Sequence, residues 1–250
     1  MRSVVPLLLF VLAGVGCHAI GEGRGTLGIF GDRDPRVLYS VETGKRLVAL
    51  TIDDGPDAQS TERLLAVLSA NDAHATFFLI SSRIAGNEAL VDAIVAGGNE
   101  IGNHHQRDTP SIELTPGEFI EQLLAAETTL SAWPASDWFR PASGWYHDWM
   151  LDLLATQGYR AALGSVYPLD AQIPSVRLAA WWIGRNVEPG SIIILHDGEG
   201  RGERSASVLE RVLPGLVERG FEVVTLSELV RRGSPPPGKA PADSVEKPEA

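Results

Sequence analysis

The chain has 250 residues, 44% hydrophobic and 21% charged, enough for one sizeable domain with its own core. Its formal net charge is -11 and no basic run stands out. A phosphate backbone would be repelled, which excludes nucleic acid as a partner and leaves neutral or cationic glycans compatible.

Residues 1–19 read as an export signal rather than as part of the fold. Arg2 supplies a positive charge, and the apolar run from Val4 to Gly16 has the length of a signal-peptide core and is too short to span a bilayer. Cys17, the single cysteine, ends that run. It is either the lipidated first residue of a lipoprotein, and so a lipid anchor, or lies just before a cut after Ala19. In both cases the mature domain carries no disulfide. Residues 20–45 are glycine-rich and polar, a linker or lead-in. Residues 233–250 are proline-rich and polar, a tail expected to be disordered.

Between these ends, strand and helix signals alternate. Leu47 to Ile52 is an apolar, β-branched strand that stops at Asp53. Thr61 to Leu68 is a helix with Leu64, Leu65 and Leu68 on one face, and Ala75 to Ile80 a second strand. Glu88 to Ala96 is a helix closed by Gly97 and Gly98. Glu100 to Asn103 ends a third strand. Pro116 to Leu130 is a long helix with proline in its first turn. Trp149 to Thr156 is a helix closed by Gly158, Ile192 to Leu195 a buried strand, Ser207 to Arg219 a helix, and Phe221 to Leu226 the last strand. This alternation predicts parallel pairing in a single α/β domain over 46–232, and a barrel rather than an open sheet. In such barrels chemistry gathers where strands end.

Four segments at those ends carry candidate chemistry. Asp53 and Asp54 follow the first strand in Thr51-Ile52-Asp53-Asp54-Gly55-Pro56: one carboxylate can bind a metal while the other takes a proton from metal-bound water. His104, His105 and Asp108 fall close together, and imidazole with carboxylate suits zinc, cobalt or manganese. Arg140, in Phe139-Arg140-Pro141, can hold a catalytic carboxylate ionised. His196 stands at the exit of an apolar strand, where its charge switches near neutral pH, with Ile194 on the same strand face. Each segment alone is also ordinary turn chemistry; their order is what distinguishes them.

Strand-Asp-Asp-Gly, then Asn-His, then Arg-Pro-x-x-Gly, then Leu-His-Asp resembles the polysaccharide deacetylase family, carbohydrate esterase family four, over roughly residues 46 to 230. The resemblance implies a distorted (β/α) barrel of about seven strand-helix units. It implies Asp53 as general base, Asp54 as metal ligand with His104, Arg140 as holder of the base, and His196 as general acid. The family's second metal histidine is replaced by Asp108, with His105 as the alternative ligand. The implied cofactor is a divalent ion, Zn2+ first and Co2+ or Mn2+ as alternatives. Ser143 stands where an aromatic residue usually offers its N–H to the oxyanion, Trp145 and Tyr146 become candidate sugar-stacking surfaces, and Ile194 would line the acetyl pocket. Asp170, in Tyr167-Pro168-Leu169-Asp170, is the nearest match to the residue that tunes the histidine.

The implied reaction is removal of N-acetyl groups, or O-acetyl groups, from an extracellular polysaccharide by an exported enzyme. An amidase or imidase acting on a small molecule, and a catalytically inactive glycan-binding domain, are the alternatives. Peptidoglycan, chitin-like oligomers, poly-N-acetylglucosamine and acetylated xylan all fit, and no segment specifies an oligomeric state.

Overall fold

The computed structural model describes residues 33–233. The export signal with Cys17, the start of the lead-in and the proline-rich tail lie outside the described residues. Chain order is β1 (Val37–Leu38), β2 (Leu47–Gly55), α1 (Thr61–Ala70), β3 (Ala75–Leu79), α2 (Glu88–Ala96), β4 (Glu100–Asn103), α3 (Pro116–Leu130), β5 (Ala135–Phe139), α4 (Asp148–Thr156), β6 (Arg160–Ala162), α5 (Val176–Asn186), β7 (Ile192–His196), α6 (Arg201–Glu218), β8 (Glu222–Val224) and α7 (Leu226–Gly233). Among the described residues no helix is long and apolar enough to cross a membrane.

All strand pairings are parallel, in the order β1-β6-β5-β4-β3-β2-β7, with β8 also beside β2. Beyond β6, Val166 bridges to Ile193 of β7, and Ser40 bridges to Ser191, so the sheet curls round and its ends meet through isolated bridges. This is the barrel expected from the alternation of elements, with the distorted (β/α) form that the resemblance implied. Val37 and Leu38, inside the segment read as lead-in, pair with Ala161 and Ala162, so the packed unit includes residues upstream of Leu47.

Strand parity decides what faces the site. Val48, Leu50 and Ile52 pack beneath helices with Leu64, Leu68 and Leu209, while Leu47 and Ala49 join Phe78, Trp138, Ala162 and Ile192 in a second cluster. Successive side chains alternate across a strand, so Thr51 and Asp53 continue the Leu47–Ala49 face. Fully burying aliphatic side chains of this size contributes roughly 1.5–3 kcal/mol each, which fixes the register on which Asp53 depends. β2 runs three residues further than its apolar run, through both aspartates to Gly55, and its register against β3 shifts between Asp53 and Gly55.

α3 begins as expected at Pro116, with Thr115 and Glu118 closing a reciprocal capping box. α6 begins at Arg201 rather than near Ser207. The extra turns bring the start of α6 beside the end of β7, where Ser205 Oγ donates to the His196 carbonyl at 2.7 Å.

Candidate active site

Asp53 and His196 are register partners at the ends of adjacent strands β2 and β7. Asp53 is buried and accepts a 2.7 Å hydrogen bond from Nη1 of Arg140, which follows β5. Arg140 is itself sealed from solvent. It donates further to Thr51 Oγ1 (2.6 Å) and to the carbonyls of Ala162 and Leu163 (both 3.1 Å), and its guanidinium lies 4.2 Å from the centre of the Phe78 ring. With its donors committed in this way, the guanidinium presents a fixed charge to Asp53 and cannot swing away.

His196 Nδ1 lies 3.1 Å from both carboxylate oxygens of Asp170, and its backbone N–H donates to Asp170 Oδ2 at 3.1 Å. Burial disfavours the charged ring, but the Asp170 charge and hydrogen bond, with Asp53 and Asp54 nearby, outweigh it and raise the pKa to about 9. The ring is therefore an imidazolium at neutral pH. Because Asp170 engages Nδ1, Nε2 is the nitrogen left to deliver a proton.

Asp54 adopts a left-handed backbone (φ 72°), unusual for a non-glycine residue and a mark of local strain. Its Oδ1 lies 3.3 Å from His104 Nε2, while His104 Nδ1 lies 2.7 Å from the Arg140 carbonyl. Burial opposes the Asp54 charge; His104, His196 and Arg201 overcome it and hold the carboxyl well below the usual range.

The third expected metal ligand does not join them. Asp108 is 42% exposed and is held at 2.8 Å by Arg83 Nη2, whose Nη1 donates to the Asp54 carbonyl at 2.5 Å. Its exposure and its own cation keep its carboxylate in a separate ion pair. His105 is not the substitute. It too is left-handed (φ 69°), which turns its ring away from His104 and into the core between Phe119 and Phe139, at 4.6 and 4.7 Å between ring centres. Burial holds its pKa down to about 3, so it is neutral, and neither ring nitrogen has a hydrogen-bond partner among the described residues. Among the described residues no group of three or more His, Cys, Asp or Glu side chains is placed to hold a metal ion. The donor set present, one carboxylate and one imidazole, does not fit the three-ligand site that the resemblance implies.

At the rim, Ser143 sits exposed at a left-handed turn (φ 63°) within Ala142–Gly144. Trp145 is 37% exposed, available as an apolar face. Tyr146 is not: its ring is buried and its hydroxyl lies 2.7 Å from that of Tyr39, so it packs the core instead of meeting a sugar. Ile194 is buried beside Gly164, where an added Cβ would stand 2.7 Å from its Cγ1.

The family model for polysaccharide deacetylases matches residues 40–162. A peptidoglycan-N-acetylglucosamine deacetylase of Bacillus cereus is 31% identical over 78% of this chain and 93% of its own. The chain belongs to the polysaccharide deacetylase family. It is an enzyme of that class, and the barrel and the order of its motifs are those of the family. A chitooligosaccharide deacetylase of a Bradyrhizobium species is 31% identical, covering 76% of this chain and 94% of its own. A crystal structure of a peptidoglycan N-acetylglucosamine deacetylase superposes with a TM-score of 0.74 at 28% identity, over 78% of this chain and 92% of that one. Family members are generally metal-dependent, which makes the incomplete ligand set here a departure.

Sequence reasoning missed Thr51, Arg83, Arg201 and Ser205. Thr51 carried a signal: parity places it on the Asp53 face, two residues back along the strand. The two arginines carried none, because nothing in their local sequence distinguishes them from surface cations.

Proposed function

We propose that this deacetylase hydrolyses the acetamide of N-acetylglucosamine units in a cell-wall or chitin-like glycan, with Asp53 as general base and His196 as general acid. The single observation that carries this is the Asp53–His196 register pair. One member is clamped by Arg140 and the other is charged by Asp170. Asp53 takes a proton from water as the water oxygen attacks the acetyl carbon. The tetrahedral oxyanion meets the backbone N–H at Ser143, and one such donor contributes about 3 kcal/mol in comparable sites. The C–N bond then breaks as His196 passes its proton from Nε2 to the departing sugar nitrogen. Acetate and a free amine result. Ile194 is the proposed wall for the acetyl methyl, and Trp145 the stacking surface for a sugar ring. The apolar run ahead of Cys17 supports export, as a lipoprotein or by signal cleavage, to where such a polymer lies.

The test is acetate release from N-acetylated chitooligomers and from peptidoglycan. Asp53→Asn should lower turnover at least about a hundredfold while the melting temperature stays within a few degrees of the parent. Near-normal release by the Asn variant would end the base assignment.

A further inference from the structure

The site's cation is the most unexpected feature of this chain. Asp54 presents one oxygen to His104, and its other oxygen, Oδ2, lies 3.2 Å from Nη2 of Arg201. Arg201 is the first residue of α6, and its position is built rather than accidental. Nε donates to the Gly198 carbonyl at 3.3 Å, and Nη2 also pairs with Glu199 Oε2 at 3.1 Å. Gly200 takes the left-handed turn that starts the helix. At Gly202 an added Cβ would fall 2.1 Å from Asp197 Oδ1 and 2.2 Å from Ser60 Oγ, so the first turn of α6 is pressed against Asp197, just past β7, and against Ser60, just ahead of α1. The Arg201 side chain keeps 19% exposure, and the contacts above engage its Nε and Nη2 and leave Nη1 outside them. A second guanidinium, Arg83, bonds the Asp54 carbonyl and neutralises Asp108.

We propose that Arg201 supplies from the chain itself the positive charge that a divalent ion would bring to Asp54 and His104, and that its open Nη1 edge is the electrophile for the acetyl carbonyl oxygen. A divalent ion entering between Asp54 and His104 would bind Oδ1 of a carboxylate whose Oδ2 already holds Arg201, and would face that guanidinium charge across the same carboxylate. Like charges at such separations repel strongly in a partly buried site. Guanidinium is the appropriate replacement, because it stays charged across the accessible pH range and presents directed N–H donors. The electrophile assignment rests on the deacetylase reading above; the occupancy of the cation position does not.

Zinc titration by calorimetry on the purified chain separates the two. The parent should bind Zn2+ weakly and hold well under one equivalent after gel filtration. Arg201→Ala and Arg201→Gln should each bind Zn2+ about tenfold tighter or more, with the gain abolished when Asp54→Asn is added. Thermal melting identifies any variant that fails to fold, and the bulkier Gln side chain keeps the measurement available if Ala does not. Acetate release by the parent should persist in excess chelator and fall at least about tenfold in Arg201→Gln. A parent that retains one equivalent of zinc, or Arg201 variants with unchanged zinc affinity, would overturn the cation assignment. Acetate release that chelator abolishes and zinc restores would overturn the electrophile assignment. Absence of acetate release under every condition would sink the deacetylase reading, and the zinc titration would still decide what occupies the cation position.

Discussion

Replacing Asp170 with Asn removes the charge that keeps His196 protonated while preserving the shape of the side chain. In the parent the His196 pKa stands near 9, so at pH 8 about nine rings in ten carry the proton that the leaving amine needs. Without Asp170, burial is opposed only by the Asp53 and Asp54 charges, and a pKa that falls back to the ordinary value of about 6.5 leaves about 3% charged at pH 8. Turnover should therefore drop about thirtyfold at pH 8 but less than about twofold at pH 6, where both forms are mostly protonated. The assay is kcat for acetate release from chitooligomers across pH 5.5 to 9.5, and the alkaline limb should move down by roughly two units or more. Stability should follow the same ion pair. A folded pKa raised from 6.5 stabilises the fold fully below pH 6.5, and that contribution is lost as pH climbs through 9. Its ceiling is about 3 kcal/mol, so the Asn variant should melt lower than the parent at pH 6, with the gap narrowing toward pH 9.5. Equal activity losses at pH 6 and pH 8, with the alkaline limb unmoved, would refute the role given to Asp170.

His105 predicts the opposite trend in acid. Its folded pKa of about 3 lies below the unfolded value, so the parent should lose stability as pH falls from 6.5 toward 3, by up to about 5 kcal/mol. His105→Phe should flatten that slope in urea titrations at stepped pH, and an unchanged slope would show that His105 takes up a proton in the fold. Tyr146→Phe removes the hydroxyl partner of Tyr39, so it should cost about 1–2 kcal/mol in denaturant melts and leave kcat/KM within about twofold. A tenfold fall in kcat/KM would return Tyr146 to the sugar-binding surface.

The strands that carry Asp53 and His196 were legible in the sequence because both are short, β-branched and largely apolar runs, buried on both faces. The helices at 88–96 and 116–130 were legible from their glycine stop and proline start. β5 escaped because Ala135, Ser136 and Asp137 leave half of it exposed and polar, and β1 and β6 are too short to show a period. α5 buries only Ala179 and Ile183 along its length, so its paired tryptophans gave no clear face. The early start of α6 was hidden by Gly198, Gly200 and Gly202, which read as loop until the crowding at Asp197 shows why a side chain is barred there. Asp170 reached His196 although its surrounding motif was thin, because the pairing depends on one carboxylate rather than on a pattern. Asp108 and His105 were misplaced for a shared reason. Spacing along a chain says how far side chains can reach, and the left-handed backbone at His105 decides which way the segment turns.

Arg140 also has a mechanical consequence. It reaches from the end of β5 to side chains on β2 and to the carbonyls of the last residue of β6 and of the residue after it, and β2 and β6 stand on opposite flanks of the curled sheet. The barrel has no continuous seam of ladder hydrogen bonds to close it, so this one guanidinium acts as a strut across its mouth. Any breathing that parts those flanks must release Asp53 in the same motion, so the enzyme cannot open its wall and keep its base aimed.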